Sequence, residues 1–144
     1  MHVIEISTDT ATICVFDTAC LSHRKDDIGD WWSLPRNRFQ EIRAGNVLFF
    51  DVGEDGSYRI NISADDFVTS HAYAIVVKSG RLFIGPGEEA SAGGFEPDGS
   101  WGGEFLNVDP GNYVCKVKRS GNTLDIFLSL GGDGQNDLAD SIRV

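Results

Sequence analysis

At 144 residues, 41% of them hydrophobic and 24% charged, the chain has the length and composition of one globular domain and is not a disordered tract. Its 22 acidic against 12 basic side chains give a net charge of −10. That balance argues against nucleic acid and anionic membrane surfaces as partners, because both are held by Lys and Arg. It leaves a basic protein as the partner charge would steer, or a purely solubilising role.

The opening "MHVIEISTDT" has no basic stretch followed by an apolar core, so no export signal is expected. No run approaches a membrane span. The three cysteines, Cys14, Cys20 and Cys115, form an odd set, which fits free thiols in a reducing cytoplasm.

Apolar residues recur mostly at period two. "HVIEIS" and "TICVF" read as strands around a "TDTA" turn. "LPRNRFQEIRAG" reads as a short helix, with Pro35 in its first turn and Gly45 after its last. Phe39, Ile42 and Leu34 supply its apolar side, and Arg36, Arg38 and Arg43 a solvated basic face. "NVLFFDV" and "SYRINIS" are expected to pair as a hairpin across "GEDG", and "AYAIVV" and "RLFI" across "KSG". "EFLNV" and "NYVCKVKR" flank "DPG", where Pro110 and Gly111 suit a type II turn. "NTLDIFLSL" returns as the partner of the strand before it. These elements predict one all-β domain over 1–144, an antiparallel jelly-roll-like β-sandwich of about nine short strands with one short helix.

Catalytic motifs are missing. There is no G-x-S-x-G elbow, no H-E-x-x-H and no phosphate loop, and "GPGEEASAGG" sets glutamates where a phosphate would sit. The chain therefore reads as a non-enzyme that needs no cofactor. Cys14, Cys20 and His23 are too loosely spaced for zinc and lack a fourth ligand. "GGDGQNDLAD" gathers Asp133, Asn136 and Asp137, a weak calcium alternative without EF-hand spacing. Trp31, Trp32 and Trp101 offer sugar-stacking rings, although two adjacent tryptophans in a strand face opposite ways, which leaves at most one for the core.

The strongest functional signal is residues 85–103, "GPGEEASAGGFEPDGSWGG". Connections in compact domains mostly run about 4–6 residues, and long ones tend to serve a function. No basic residue occurs between Arg81 and Lys116. Glu88, Glu89, Glu96 and Asp98 are expected to mimic phosphate toward a basic partner, with Phe95 and Trp101 as apolar anchors. The other reading is an ordered Ω-loop folded over the sheets.

The combination "STDTATICVFD", "DDIGDWWSLP", "AGNVLFFDVGEDGSY", "GRLFIGPGEE", "EPDG" and "DPGNY" resembles a family of small, functionally uncharacterised bacterial proteins over nearly the whole chain. In layout, around "VDPGNYVCKV", the chain is similar to competence-type DNA-entry nuclease inhibitors. That likeness implies a cytosolic β-sandwich that binds and silences a nuclease. The expected function is a non-enzymatic cytoplasmic protein-binding module, in its concrete form an acidic inhibitor or immunity-type partner of a basic protein such as a nuclease. The alternative is a carbohydrate or small-ligand module assisted by calcium at the "GGDGQND" loop.

Overall fold

The computed structural model describes residues 2–24, 27, 31–91, 102–138 and 140–144. Ten strands and one α-helix are present: β1 (His2–Thr8), β2 (Thr12–Phe16), α1 (Pro35–Arg43), β3 (Val47–Asp51), β4 (Gly56–Ile62), β5 (His71–Val77), β6 (Arg81–Pro86), β7 (Glu104–Asn107), β8 (Gly111–Ser120), β9 (Thr123–Leu130) and β10 (Ile142–Arg143). They form two five-stranded sheets, in the orders β1-β4-β9-β8-β5 and β10-β3-β2-β6-β7. The fold is mostly β, as the alternation predicts. The sheets are mixed rather than antiparallel throughout, because β4–β9 and β10–β3 run parallel.

Burial separates the sheets. In the first, β1 and β8 alternate buried and accessible residues, so one face is wet. In the second, every residue of β2 and nearly all of β3 and β6 are buried, so both faces are covered. One face of the second sheet meets the first in a common core, where Phe50 of β3 lies 6.1 Å from Tyr73 of β5. The other is covered by the helical segments: Trp31 and Trp32 pack on Phe49 at 6.0 and 5.2 Å, and the Arg38 guanidinium lies over the same ring. Each large core side chain buried this way contributes about 1.5–3 kcal/mol.

This arrangement corrects the two expected hairpins, β3–β4 and β5–β6, and shows that the expected turns between β1 and β2 and between β7 and β8 join strands of different sheets. β1–β2, β3–β4, β5–β6 and β7–β8 do not pair; each short link carries the chain from one sheet to the other. A glycine at positive φ suits such an arch as well as it suits a hairpin, as at Gly53 (+87°) and Gly80 (+85°). Two arches are pinned alike: Tyr58 donates its hydroxyl to Glu54 O and Tyr113 to Asp109 O, each at 2.6 Å and four residues back. The expected pairing of β8 with β9 is present, with Ser120 opposite Thr123.

Helix α1 has Pro35 in its first turn and Gly45 (φ +73°) just past its end, as predicted. Its inner face is more polar than expected. Leu34 is 59% exposed rather than part of the helix's buried side, whereas Arg38 is 9% exposed and bonds Asp51 at 2.7 Å. Glu41, 2% exposed, takes bonds from His23, Arg24 and Asn46. Burial pushes its carboxyl up, and these donors outweigh that and hold it below the ordinary glutamate range.

The outer edge of β5 is closed without another strand. Ala74 N–H bonds Asn136 Oδ1, Val76 N–H bonds Gly45 O, and Lys78 N–H bonds the buried Asp17 carboxylate, at 2.7–2.8 Å. Such covering removes the row of free backbone groups on which another chain could pair.

Candidate functional site: an acidic end

Of the expected loop 85–103, Gly85 and Pro86 belong to β6, paired with Cys14 and Ile13, so residues 87–103 join β6 to β7, which are antiparallel neighbours. Within this connection, residues 87–90 form a 3-10 turn carrying Glu88 and Glu89. Glu88 is not a free phosphate mimic. Its carboxylate accepts from Thr8 Oγ1 and Asp9 N, both at 2.8 Å, and from Thr10 Oγ1. It therefore fastens the start of the connection to the β1–β2 turn. Glu89 is half-buried nearby. Burial first, and then the charges of Glu89 and Glu88, push the Cys14 thiol well up.

The two tryptophans hold the next residues. Trp31 Nε1 donates to Ala90 O and Trp32 Nε1 to Ser91 Oγ, each at 2.9 Å. Their side chains are 3% and 4% exposed. Trp31–Ser33 form a 3-10 turn rather than a strand, so the two successive rings are not thrown to opposite faces and both enter the core. Neither ring forms a sugar platform.

The far end of the connection is also tied. Gly102 bridges Ile6 of β1 with φ +85°, and a Cβ there would fall 2.2 Å from Glu5 O. Only glycine fits that approach. Phe95, Glu96, Asp98 and Trp101 lie outside the described residues.

The β1–β2 turn that Glu88 anchors also adjoins the end of the β3–β4 arch. The register Thr8↔Gly56 sets Asp9 and Asp55 side by side, just beyond the last β1–β4 pair. Glu54 precedes Asp55 in the β3–β4 arch, and Asp9, Glu54 and Asp55 are all exposed. None of the three makes an ion pair among the described residues. Arg119, which packs over Tyr58 beside this arch, spends its guanidinium on the carbonyls of Val52, Gly121 and Val144. One end of the molecule thus carries Asp9, Glu54, Asp55, Glu88 and Glu89. The sequence reading takes "GEDG" only as a turn; the missed signal is that its two acids adjoin the start of a strand that pairs with β1.

The calcium alternative meets a different arrangement. Asn136 is spent on Ala74 and on Ile42 O, Asp133 accepts the Gln135 N–H, and Asp137 is exposed. Among the described residues, no group of three His, Cys, Asp or Glu side chains converges to hold a metal. Cys14 and Cys20 bond separate carbonyls, Pro86 O and Val76 O, and all three cysteines are buried free thiols.

A mostly β domain with an acidic end thus defines the molecule. Its whole length, residues 1–144, matches the model of a family of unknown function, DUF6386, and the chain belongs to that family. Among curated proteins nothing matches. A solved structure described as "Crocagin biosynthetic gene J" is similar at 20% identity, over 90% of this chain and 97% of that one, with a TM-score of 0.58. At that identity the likeness is one of fold. No helix among the described residues is long and apolar enough to cross a membrane.

Proposed function

We propose that this chain is a non-enzymatic, cytoplasmic binding module on a β-sandwich framework, and that its partner is a basic protein held at the acidic end. The observation that carries this reading is the exposed Asp9, whose N–H is held by Glu88, beside the exposed Glu54 and Asp55 of the arch that enters β4 where β4 pairs with the end of β1. Like charges so placed repel one another, and a cationic partner removes that cost. Glu96 and Asp98 belong to the same β6–β7 connection in sequence and add to its acidity, with Phe95 and Trp101 as anchors. The concrete form is an inhibitor or immunity-type partner of a nuclease, because a phosphate-binding surface is built from Lys and Arg.

Glu88 is the wrong residue for a binding test, since its carboxylate already holds the β1–β2 turn. The test is capture from host lysate at low salt by the wild type and by a Glu54→Lys/Asp55→Lys variant, followed by calorimetric titration of any protein the wild type retains. The expected partner is basic, is lost by the variant, and binds more weakly as salt rises. Equal affinity for the two baits would remove this reading.

A further inference from the structure

β4 and β5 lie in the same sheet with β9 and β8 between them, so residues 63–70 must cross the outer face of that sheet. The registers Ala72↔Lys116 and Lys116↔Phe127 put Lys116 and Phe127 beneath the crossing. The strap is pinned at three points. Phe67 meets Phe127 at 6.5 Å between ring centroids, Asp66 Oδ1 accepts from Lys116 Nζ at 2.8 Å, and Thr69 Oγ1 donates to Val117 O at 2.7 Å.

Pinned as it is, the strap leaves Val68 99% exposed at its crest. Beside it is a hollow of about 370 Å³ lined by Asp66, Phe67, Val68, Thr69 and Lys116. The Thr69 hydroxyl is spent inward, on Val117 O and on the His71 N–H. What the strap offers the hollow besides the Asp66 carboxylate is therefore largely apolar. The polar exception with capacity to donate is Lys116. An ammonium has three N–H donors, and among the described residues Lys116 uses one, on Asp66. Asp66 Oδ1 takes that bond and the Phe67 N–H together.

A few apolar side chains around one oriented cation make the pattern of a small-ligand site. We propose that this hollow binds a small apolar carboxylate, its body against Val68 and Phe67 and its oxygens on the two spare Lys116 donors. The ammonium then bridges the ligand and Asp66. The site stands apart from the acidic end: the strap leaves the last residue of β4, whereas Asp55 precedes its first, about 20 Å away along the strand. The two proposals therefore fail separately. The salt dependence also differs, since screening a net charge of −10 weakens attraction for a basic partner but eases entry of an anion.

The test is an NMR titration of the full chain with N-acetyl-leucine, which presents a peptide-like C-terminus, with hexanoate, which presents a fatty-acid end, and with N-acetyl-leucinamide, which lacks the charge. The acids are expected to shift the Val68, Thr69 and Lys116 amides saturably, with the amide about tenfold weaker. Saturation by one acid alone identifies the source of the carboxylate. Lys116→Gln and Val68→Asp should each weaken the acid about tenfold, while Arg59→Gln, on β4 and paired with Glu5, leaves it unchanged. Absence of a saturable shift at these amides, equal binding of acid and amide, or retention of affinity in Lys116→Gln would each overturn the proposal.

Discussion

At the scale of single residues, several groups with an evident chemical use on paper are spent on holding the chain together. Glu88 shows this most clearly. It reads as a surface acid in a glycine-rich loop, yet three donors from the β1–β2 turn converge on its carboxylate. Replacing it with Ala leaves the Thr8 hydroxyl and the Asp9 N–H without that acceptor, a cost of about 1–3 kcal/mol. The expected result is a thermal midpoint lower by several degrees, read by circular dichroism, with Glu88→Gln falling between the two because its amide oxygen still accepts. An unchanged midpoint in Glu88→Ala would make the anchor energetically idle. Trp31 and Trp32 tell the same story. Their size marks them in the sequence, but only the 3-10 turn they occupy explains how both reach the core while their N–H groups hold Ala90 and Ser91.

At the scale of elements, which strands exist is legible in the sequence, and which strands pair is largely not. Turn chemistry misleads here, because the glycines that permit a hairpin also permit an arch. A better signal lies in the strands. "TICVF", "VLFF" and "RLFI" are apolar at nearly every position, whereas "HVIEIS", "YRINIS" and "YVCKVK" alternate. Neighbours in a sheet share the same two environments, so continuous runs belong together under double cover and alternating runs belong in the sheet with a wet face. That sorting separates β2, β3 and β6 from β1, β4 and β8, as observed. What it cannot supply is the edge of β5, closed by a side chain distant in sequence. Asn136 copies a strand there, accepting from Ala74 N and donating to Ala74 O. Asn136→Ala is expected to speed amide exchange at Ala74 about tenfold or more, while Val117, inside the sheet, slows or quickens only with global stability. Equal change at both amides would show that the edge contact has no local role.

At the scale of the whole molecule, charge and fold are arranged against each other. The covered second sheet is built mainly from apolar residues, and acids pair on both sides of the molecule: Glu5 with Arg59 and Asp66 with Lys116 along the first sheet, Asp51 with Arg38 and Glu41 with Arg24 where α1 covers the second. Asp9, Glu54 and Asp55 sit instead where β1 and β4 bring them together, with no cation paired to them among the described residues. The candidate site was only half legible for this reason: Glu88 and Glu89 announce themselves by the loop they occupy, while Asp9 and Asp55 become neighbours through a pairing across 46 residues of chain, the difference between positions 9 and 55. Such crowding of like charge has a consequence for stability as well as for binding. Folding brings the carboxylates together, and the unfolded chain lets them separate, so their repulsion weighs against the folded state. Glu54→Lys/Asp55→Lys is therefore expected to raise the thermal midpoint by about 1–2 °C at low salt, a gain that shrinks as added salt screens the wild type. A surface that serves only solubility has no reason to keep acids in so costly a position, whereas a binding surface trades stability for its partner. Melting both proteins across a salt series decides the matter: a wild type already as stable as the variant at low salt would mean that the acids do not repel enough for a partner's charge to matter.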